Sequence, residues 1–381
     1  MKPTSPISTK RAAKVLEEIQ NDGRIRTKPE VVLLANSTTP HCDNSFFYLT
    51  GFSEGLFEHS YLSVGNDGSL TLLTSEMEKL IAEPEAKGIS INTRSPGKPL
   101  GDELKKLVGS SPKTIGLNYS ELTVQSLQSV ESAFKTSKFV DVSEPLRRAR
   151  LIKDEVEIEL IKRACDISSK VFGKISSIVD RPGITESEVA AEMGLQEQKM
   201  GGGSVPFDTI VAFGRNSAVP HHFAGPSRLL RGDLVLMDYG AKCGRYCSDV
   251  TRTLVYGRAT KTQREIYDVV FEANELGIDN CVVSNTGEEV NSKIGSYIKS
   301  RGYSVLHGYG HSIGLSVHDD HGLDNNPSYL KPGMVITVEP GVYLPELGGV
   351  RIEDDILITK GKPRILTSAT RELIELHPRA S

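Results

Sequence analysis

The chain has 381 residues, 38% of them hydrophobic and 25% charged, enough for two domains with cores that need no disulfide or structural metal. Its 45 basic and 49 acidic residues leave a formal net charge of −4, which removes the non-specific electrostatic case for nucleic acid. Five scattered cysteines, no run of 18 apolar residues, and a start (Met1–Ser5) that leads into a polar helical pattern point to a cytoplasmic protein without a membrane partner.

Residues 7–20 carry Ile7, Ala12, Val15 and Leu16 among charges, an amphipathic helix. Val31-Val32-Leu33-Leu34 reads as a buried strand, and Phe46-Phe47-Tyr48-Leu49 as a second, ended by Gly51. Tyr61–Val64 and Leu70–Leu73 flank Gly65-Asn66-Asp67-Gly68, a hairpin signal. Helical patterns over 76–86, 100–108 and 122–134 alternate with a short strand at Ile115-Gly116-Leu117. This alternation predicts a small α/β domain over residues 1–145, followed by a second domain over 146–381. The polar loop Asn36–Asn44 is read first as a connection and second as a binding loop.

In the second domain, Asp154 caps a helix through Ile158, Ile161, Ile167 and Val171, stopped by Arg181-Pro182-Gly183. Thr185-Glu186-Ser187-Glu188 has capping-box spacing ahead of another helix. Gly201-Gly202-Gly203-Ser204 lacks the Lys-Ser/Thr of a phosphate loop, and flexible access to a neighbouring site is an equal use of its glycines. Asn216–His222 is a loop in which either His221 or His222 could meet a substrate.

The chemistry gathers after residue 230. Leu234–Met237 is a strand ending in Asp238, and Tyr246–Thr253 is its return, carrying Asp249. With Cys243-Gly244 as the turn, Asp238 and Asp249 face one another, and opposed like charges call for a cation or a shared proton. The pattern recurs downstream: Met334–Val338 runs into Glu339, and the return beginning at Arg351 carries Glu353. Between these pairs, His311 sits in Gly310-His311-Ser312-Ile313-Gly314, and His318 follows seven residues later. Four carboxylates and an imidazole form a hard donor set suited to two divalent ions rather than to a closed thiolate zinc site.

These motifs resemble those of the pita-bread metallopeptidases, the superfamily of creatinase, aminopeptidase P, methionine aminopeptidase and prolidase. The likeness spans nearly the whole chain and is carried by Phe207–Val211, Met237–Gly240, Cys247–Thr253, Gly310–Leu315, Val338–Gly341 and Arg351–Asp354. It implies an α+β chain: a C-terminal pita-bread fold preceded by a smaller α/β creatinase-like N-terminal domain. Asp238, Asp249, His311, Glu339 and Glu353 would hold two metals, with Asp249 and Glu353 bridging. Mn²⁺ is the first choice of metal, with Co²⁺ or Zn²⁺ as alternatives. The catalytic set by resemblance is His221, His318, Glu339 and Arg351, which leaves His222 as a bystander. Family members often have His-Glu where this chain has His318-Asp319, a departure that bears on fine specificity.

The implied function is Xaa-Pro dipeptidase (prolidase) activity, in which two metals activate a water against the peptide bond before proline. Aminopeptidase P activity on longer peptides is the alternative, and a non-catalytic pita-bread binding protein is the alternative of another class. The resemblance also implies a homodimer and a small proline-containing peptide as the partner molecule.

Overall fold

Strands apolar on both faces belong at the centre of a covered sheet, and Val31–Ala35 takes that place in the computed structural model. The structure describes residues 6–376 apart from 96, 110, 182, 320, 321, 324 and 325. The Met1–Ser5 segment and Pro182, both used in the sequence reading, lie outside the described residues. The chain divides into two compact units, Met1–Arg150 and Leu151–Ser381. No helix among the described residues is long and apolar enough to cross a membrane.

The first unit runs α1 (Ile7–Asn21), β1 (Val31–Ala35), α2 (Asn44–Thr50), β2 (Tyr61–Gly65), β3 (Leu70–Thr74), α3 (Glu76–Ala82), β4 (Ile89–Thr93), α4 (Leu100–Val108), β5 (Thr114–Leu117), α5 (Val124–Ala133), β6 (Lys138–Asp141) and α6 (Ser143–Leu151). Its six strands form one mixed sheet in the order β4-β3-β2-β1-β5-β6. Leu33, Ile115 and Leu117 pack against Leu104 and Leu107 of α4 and Val130 and Ala133 of α5. Each of the Leu, Ile and Val side chains contributes about 1.5–3 kcal/mol of transfer free energy on burial.

Phe46–Leu49 is not a strand but most of α2. All four residues are buried, so the run carries no periodicity that separates strand from helix. The ends decide it. Asp43 caps the start by accepting the Ser45 N–H at 2.7 Å, and Gly51 ends the helix at φ +72°. Asp43 is itself held by Asn118 Nδ2 at 2.9 Å, and its own N–H donates to Asn36 Oδ1 at 3.0 Å. The buried polar residues of the 36–44 loop therefore serve to start a helix.

The second unit continues with α7 (Glu155–Phe172), α8 (Ile175–Val179), α9 (Glu186–Lys199), β7 (Ile210–Phe213), a 3₁₀ turn (Gly214–Ala218), β8 (Leu234–Tyr239), β9 (Lys242–Cys243), β10 (Tyr246–Cys247), β11 (Val250–Tyr256), α10 (Lys261–Asn280), α11 (Gly287–Ser300), β12 (Val335–Val338), β13 (Gly341–Leu344), β14 (Gly348–Arg351), β15 (Asp354–Leu357), β16 (Arg364–Ile365) and β17 (Glu375–Leu376). Capping boxes at Asp154/Glu157 and Thr185/Glu188 start α7 and α9. The sheets are β17-β11-β8-β7 and β12-β15-β16, with hairpins β9-β10 and β13-β14. One apolar core joins α9 to the first sheet through Val189, Met193, Val211 and Met237. A second joins α10 and α11 to β12 and β15 through Val270, Ile294, Ile336 and Ile356.

The β8–β11 register differs from the expected one. Asp238 pairs with Thr251, not with Asp249, because the turn is Gly244-Arg245 rather than Cys243-Gly244. Both turn residues have positive φ, +51° and +71°, the conformation whose twist matches that of a two-residue hairpin. Sliding a turn by one residue shifts the pairing by two, so the alternation of faces survives. Asp249, two residues before Thr251, becomes a diagonal neighbour of Asp238.

Candidate metal centre

Asp238 lies near the end of β8, and Asp249 in the break between β10 and β11. The β12–β15 ladder pairs Val338 with Asp354, so Glu339 and Glu353 occupy the next step beyond it. His311 reaches the same place because its backbone crowds β12: its N–H donates to Thr337 Oγ1 at 3.0 Å, and the Thr337 N–H donates to His311 O at 2.8 Å. Gly310 permits this approach, since a Cβ there would stand 2.0 Å from Thr337 O.

The donor atoms converge. One ligand atom each from Asp249, His311 and Glu353 lie within 4.8 Å of one another. His311 Nε2 is 3.5 Å from both Asp249 Oδ2 and Glu339 Oε1. Asp238 is held beside them by Arg351, whose Nη2 donates to Oδ2 at 2.6 Å. Arg351 Nε donates to Thr251 Oγ1 at 3.1 Å, and the Thr251 hydroxyl donates to Glu353 Oε2 at 2.6 Å. Tyr343 OH accepts the remaining arginine nitrogen, Nη1, at 2.8 Å. Beneath the cluster, the buried Asp355 accepts the Asp249 N–H at 3.0 Å and the Cys165 thiol at 3.2 Å.

Burial, and then the charge of the neighbouring carboxylates, pushes the Asp249 carboxyl well above its ordinary range. Burial likewise raises Glu353, with Glu339 and Asp238 adding to it. Asp238 Oδ1 and Asp249 Oδ1 are buried and find no hydrogen-bond partner among the described residues. Buried carboxylate oxygens without donors are costly, and Arg351 brings one positive charge against four carboxylates. This donor set and its orphaned oxygens fit divalent cations. Isolated repulsion does not explain them.

His318 and His221 are both exposed. The His318 ring centroid is 4.2 Å from that of His311. Desolvation lowers the His318 pKa, and the nearby His311 and His221 charges lower it further. Asp319 is buried and meets the equally buried Lys153 Nζ at 3.4 Å, which ties the end of the His311–Asp319 loop inward. His222, expected to be a bystander, is partly buried, and its Nε2 lies 2.9 Å from Glu186 Oε2. A groove of about 790 Å³ beside α9 includes Phe207, His221, His222 and Phe223 in its lining.

The sequence reading missed Thr251, Tyr343, Asp355 and Glu186. Asp355 had a signal, because it lies two residues from Glu353, the spacing of one strand face. Thr251 has the same spacing from Asp249, whereas Tyr343 carries no such signal, its partner Arg351 lying on the next strand of a hairpin.

Comparison with known proteins places the chain. The sequence profile of metallopeptidase family M24 matches residues 159–360, and that of the creatinase/prolidase N-terminal domain matches residues 9–152. A Xaa-Pro dipeptidase of Pyrococcus furiosus is 36% identical over 333 residues, covering 86% of this chain and 92% of that protein. The solved Xaa-Pro dipeptidase from Bacillus anthracis superposes with a TM-score of 0.86 at 31% identity, covering 97% of this chain and 100% of that one. An X-Pro aminopeptidase from Thermotoga maritima superposes at 0.84 with 31% identity, covering 91% and 97%.

Proposed function

We propose, from the premise that this chain belongs to metallopeptidase family M24, that it is a peptidase hydrolysing Xaa-Pro dipeptides at the bond before proline. The observation that carries the chemistry is the convergence of Asp249, His311 and Glu353, with Glu339 beside His311 and with buried Asp238 and Asp249 oxygens that find no donor among the described residues. Asp238, Asp249, His311, Glu339 and Glu353 would hold two divalent ions, with Asp249 and Glu353 shared between them. Mn²⁺ is the first choice because oxygen donors dominate, with Co²⁺ and Zn²⁺ as alternatives. When bound, the ions supply Lewis acidity, which acidifies water and polarises a carbonyl.

The chain's own residues do the rest. Arg351 engages Asp238 Oδ2, which leaves the buried Oδ1 without a donor among the described residues. Thr251 restrains Glu353 in the same way through Oε2. Glu339, partly exposed beside His311, is assigned to carry the proton taken from water. His318 and His221, both exposed, are assigned to donate to the substrate and hold its carbonyl in place. We further assign the protein to the cytoplasm and to a homodimer, for which light scattering across a concentration series is the check.

The test strips the protein with a chelator and restores Mn²⁺, Co²⁺ or Zn²⁺ while Ala-Pro, Ala-Pro-Ala and Met-Ala-Ser are compared. Metal-restored preference for Ala-Pro is expected. The likeness to the Thermotoga maritima aminopeptidase motivates the second reading, and preference for Ala-Pro-Ala would establish it. A folded, metal-loaded protein that cleaves none of the three would mark a binding protein on this fold.

A further inference from the structure

Glu186 opens α9, where a carboxylate ordinarily serves its own helix by facing the N-terminal N–H groups. Here it does something else. The side chain is fully buried, and the four donors that reach it all come from residues 213–225. Oε1 accepts the Phe213 N–H at 2.8 Å and Asn216 Nδ2 at 2.8 Å. Oε2 accepts the Gly225 N–H at 3.1 Å and meets His222 Nε2 at 2.9 Å. One carboxylate thus holds both ends of the segment that carries His221: Phe213 at the end of β7, Asn216 in the 3₁₀ turn, and His222 and Gly225 beyond.

The neighbouring residues reinforce the same segment. The Ser187 hydroxyl donates to the carbonyls of Ala224 and Gly225, at 3.1 and 2.9 Å. The Glu186 N–H donates to Ser227 O at 3.1 Å, and the His222 N–H to Val219 O at 3.2 Å. His221 itself projects from this framework and is exposed. A buried carboxylate that loses its donors carries a large desolvation cost, so the four groups are held where they meet Glu186.

We infer that Glu186 is a positioning residue for the peptidase reaction: through His222 and Asn216 it holds His221 at the substrate. The inference rests on the reading that His221 contacts the substrate, and it turns His222 from a bystander into the anchor of its neighbour. Misplacement of a contacting group by about an ångström is enough to cost roughly 10- to 100-fold in rate.

The experiment measures kcat and KM for Ala-Pro with the metal-loaded protein and its Glu186→Gln, His222→Ala, His222→Gln and His221→Ala variants. It adds the Glu186→Gln/His221→Ala double variant, and metal content and the melting midpoint are recorded for each. Glu186→Gln and His222→Ala are expected to lower kcat/KM roughly 10- to 100-fold with metal content unchanged. His222→Gln, which retains a donor, restores most of the loss. In the Glu186→Gln background, His221→Ala adds less than about twofold, because the group it removes is already misplaced. Multiplicative losses in the double variant, equal losses for His222→Ala and His222→Gln, or full activity of Glu186→Gln would overturn the inference. Should Glu186→Gln not fold, the His222→Ala and His222→Gln pair decides it. Full activity of His221→Ala would instead overturn the reading of His221 on which the inference stands.

Discussion

Thr251 is a small residue with two obligations: its hydroxyl accepts from Arg351 Nε and donates to Glu353 Oε2. Thr251→Val keeps the shape and removes both. Metal affinity is then expected to fall about 10- to 100-fold, with Thr251→Ser recovering most of it. Metal titration monitored alongside kcat checks this, and unchanged affinity would show that Thr251 is only packing. Glu197 is the opposite kind of residue, a carboxyl buried on α9 whose two oxygens find no partner among the described residues. Burial alone pushes its pKa from 4.5 up to about 8. Between those values the folded state binds a proton that the unfolded state has lost, so stability falls as pH rises across the window, by about 1.4 kcal/mol per pH unit. Glu197→Gln removes this dependence, and its advantage over wild type in urea unfolding is expected to grow from pH 5 to pH 8. A pH-independent difference would refute the assignment. The clustering of Asp238, Asp249, Glu339 and Glu353 was legible because acidic residues beside apolar strands are conspicuous in a single sequence, and that of His311 because it lies in a glycine-bounded motif. Thr251 and Glu186 were not, because threonine in a strand and Glu beside a cap are the ordinary choices at such positions.

At the scale of elements, close approach matters more than propensity. Gly310 lets the His311 segment lie against β12, where a Cβ would stand 2.0 Å from Thr337 O. Gly310→Ala must displace one of two segments that both carry cluster residues. A loss of roughly 3 kcal/mol in urea unfolding is expected, with reduced metal content. Gly23→Ala is the control, since a Cβ there meets nothing within 4 Å, and should change stability by no more than about 0.5 kcal/mol. Equal effects of the two substitutions would remove the steric argument. The capped helices α7 and α9 were readable because Asp154/Glu157 and Thr185/Glu188 are local signals. The Phe46–Leu49 helix was not, because burial on every side erases the period on which such readings depend. The Gly244-Arg245 turn was misread by one residue because the preferred twist lies in backbone dihedrals, and an arginine at φ +71° is not the residue a turn rule anticipates.

At the scale of the whole molecule, the two compact units carry separate apolar cores, and the clustered carboxylates belong to the second. Metal binding to the folded form stabilises by about 2.7 kcal/mol when the free ion is a hundredfold above its Kd. Chelation should therefore lower the melting midpoint of the second unit by several degrees, roughly 2–4 °C per kcal/mol for a unit of this size. A calorimetric scan with and without chelator checks it, and a transition that does not move would count against cations within the cluster. Family, fold class and peptidase chemistry were already present in the linear order of short motifs, because strand-end carboxylates and Gly-His-Ser-Ile-Gly are local patterns. The networks around them exist only after folding. Arg351 meets Asp238 across 113 positions of chain, and Glu186 gathers donors 27 to 39 residues away. Local patterning is a property of neighbouring residues and survives in a string of letters, whereas the satisfaction of a buried charge depends on distance in space, which packing alone sets.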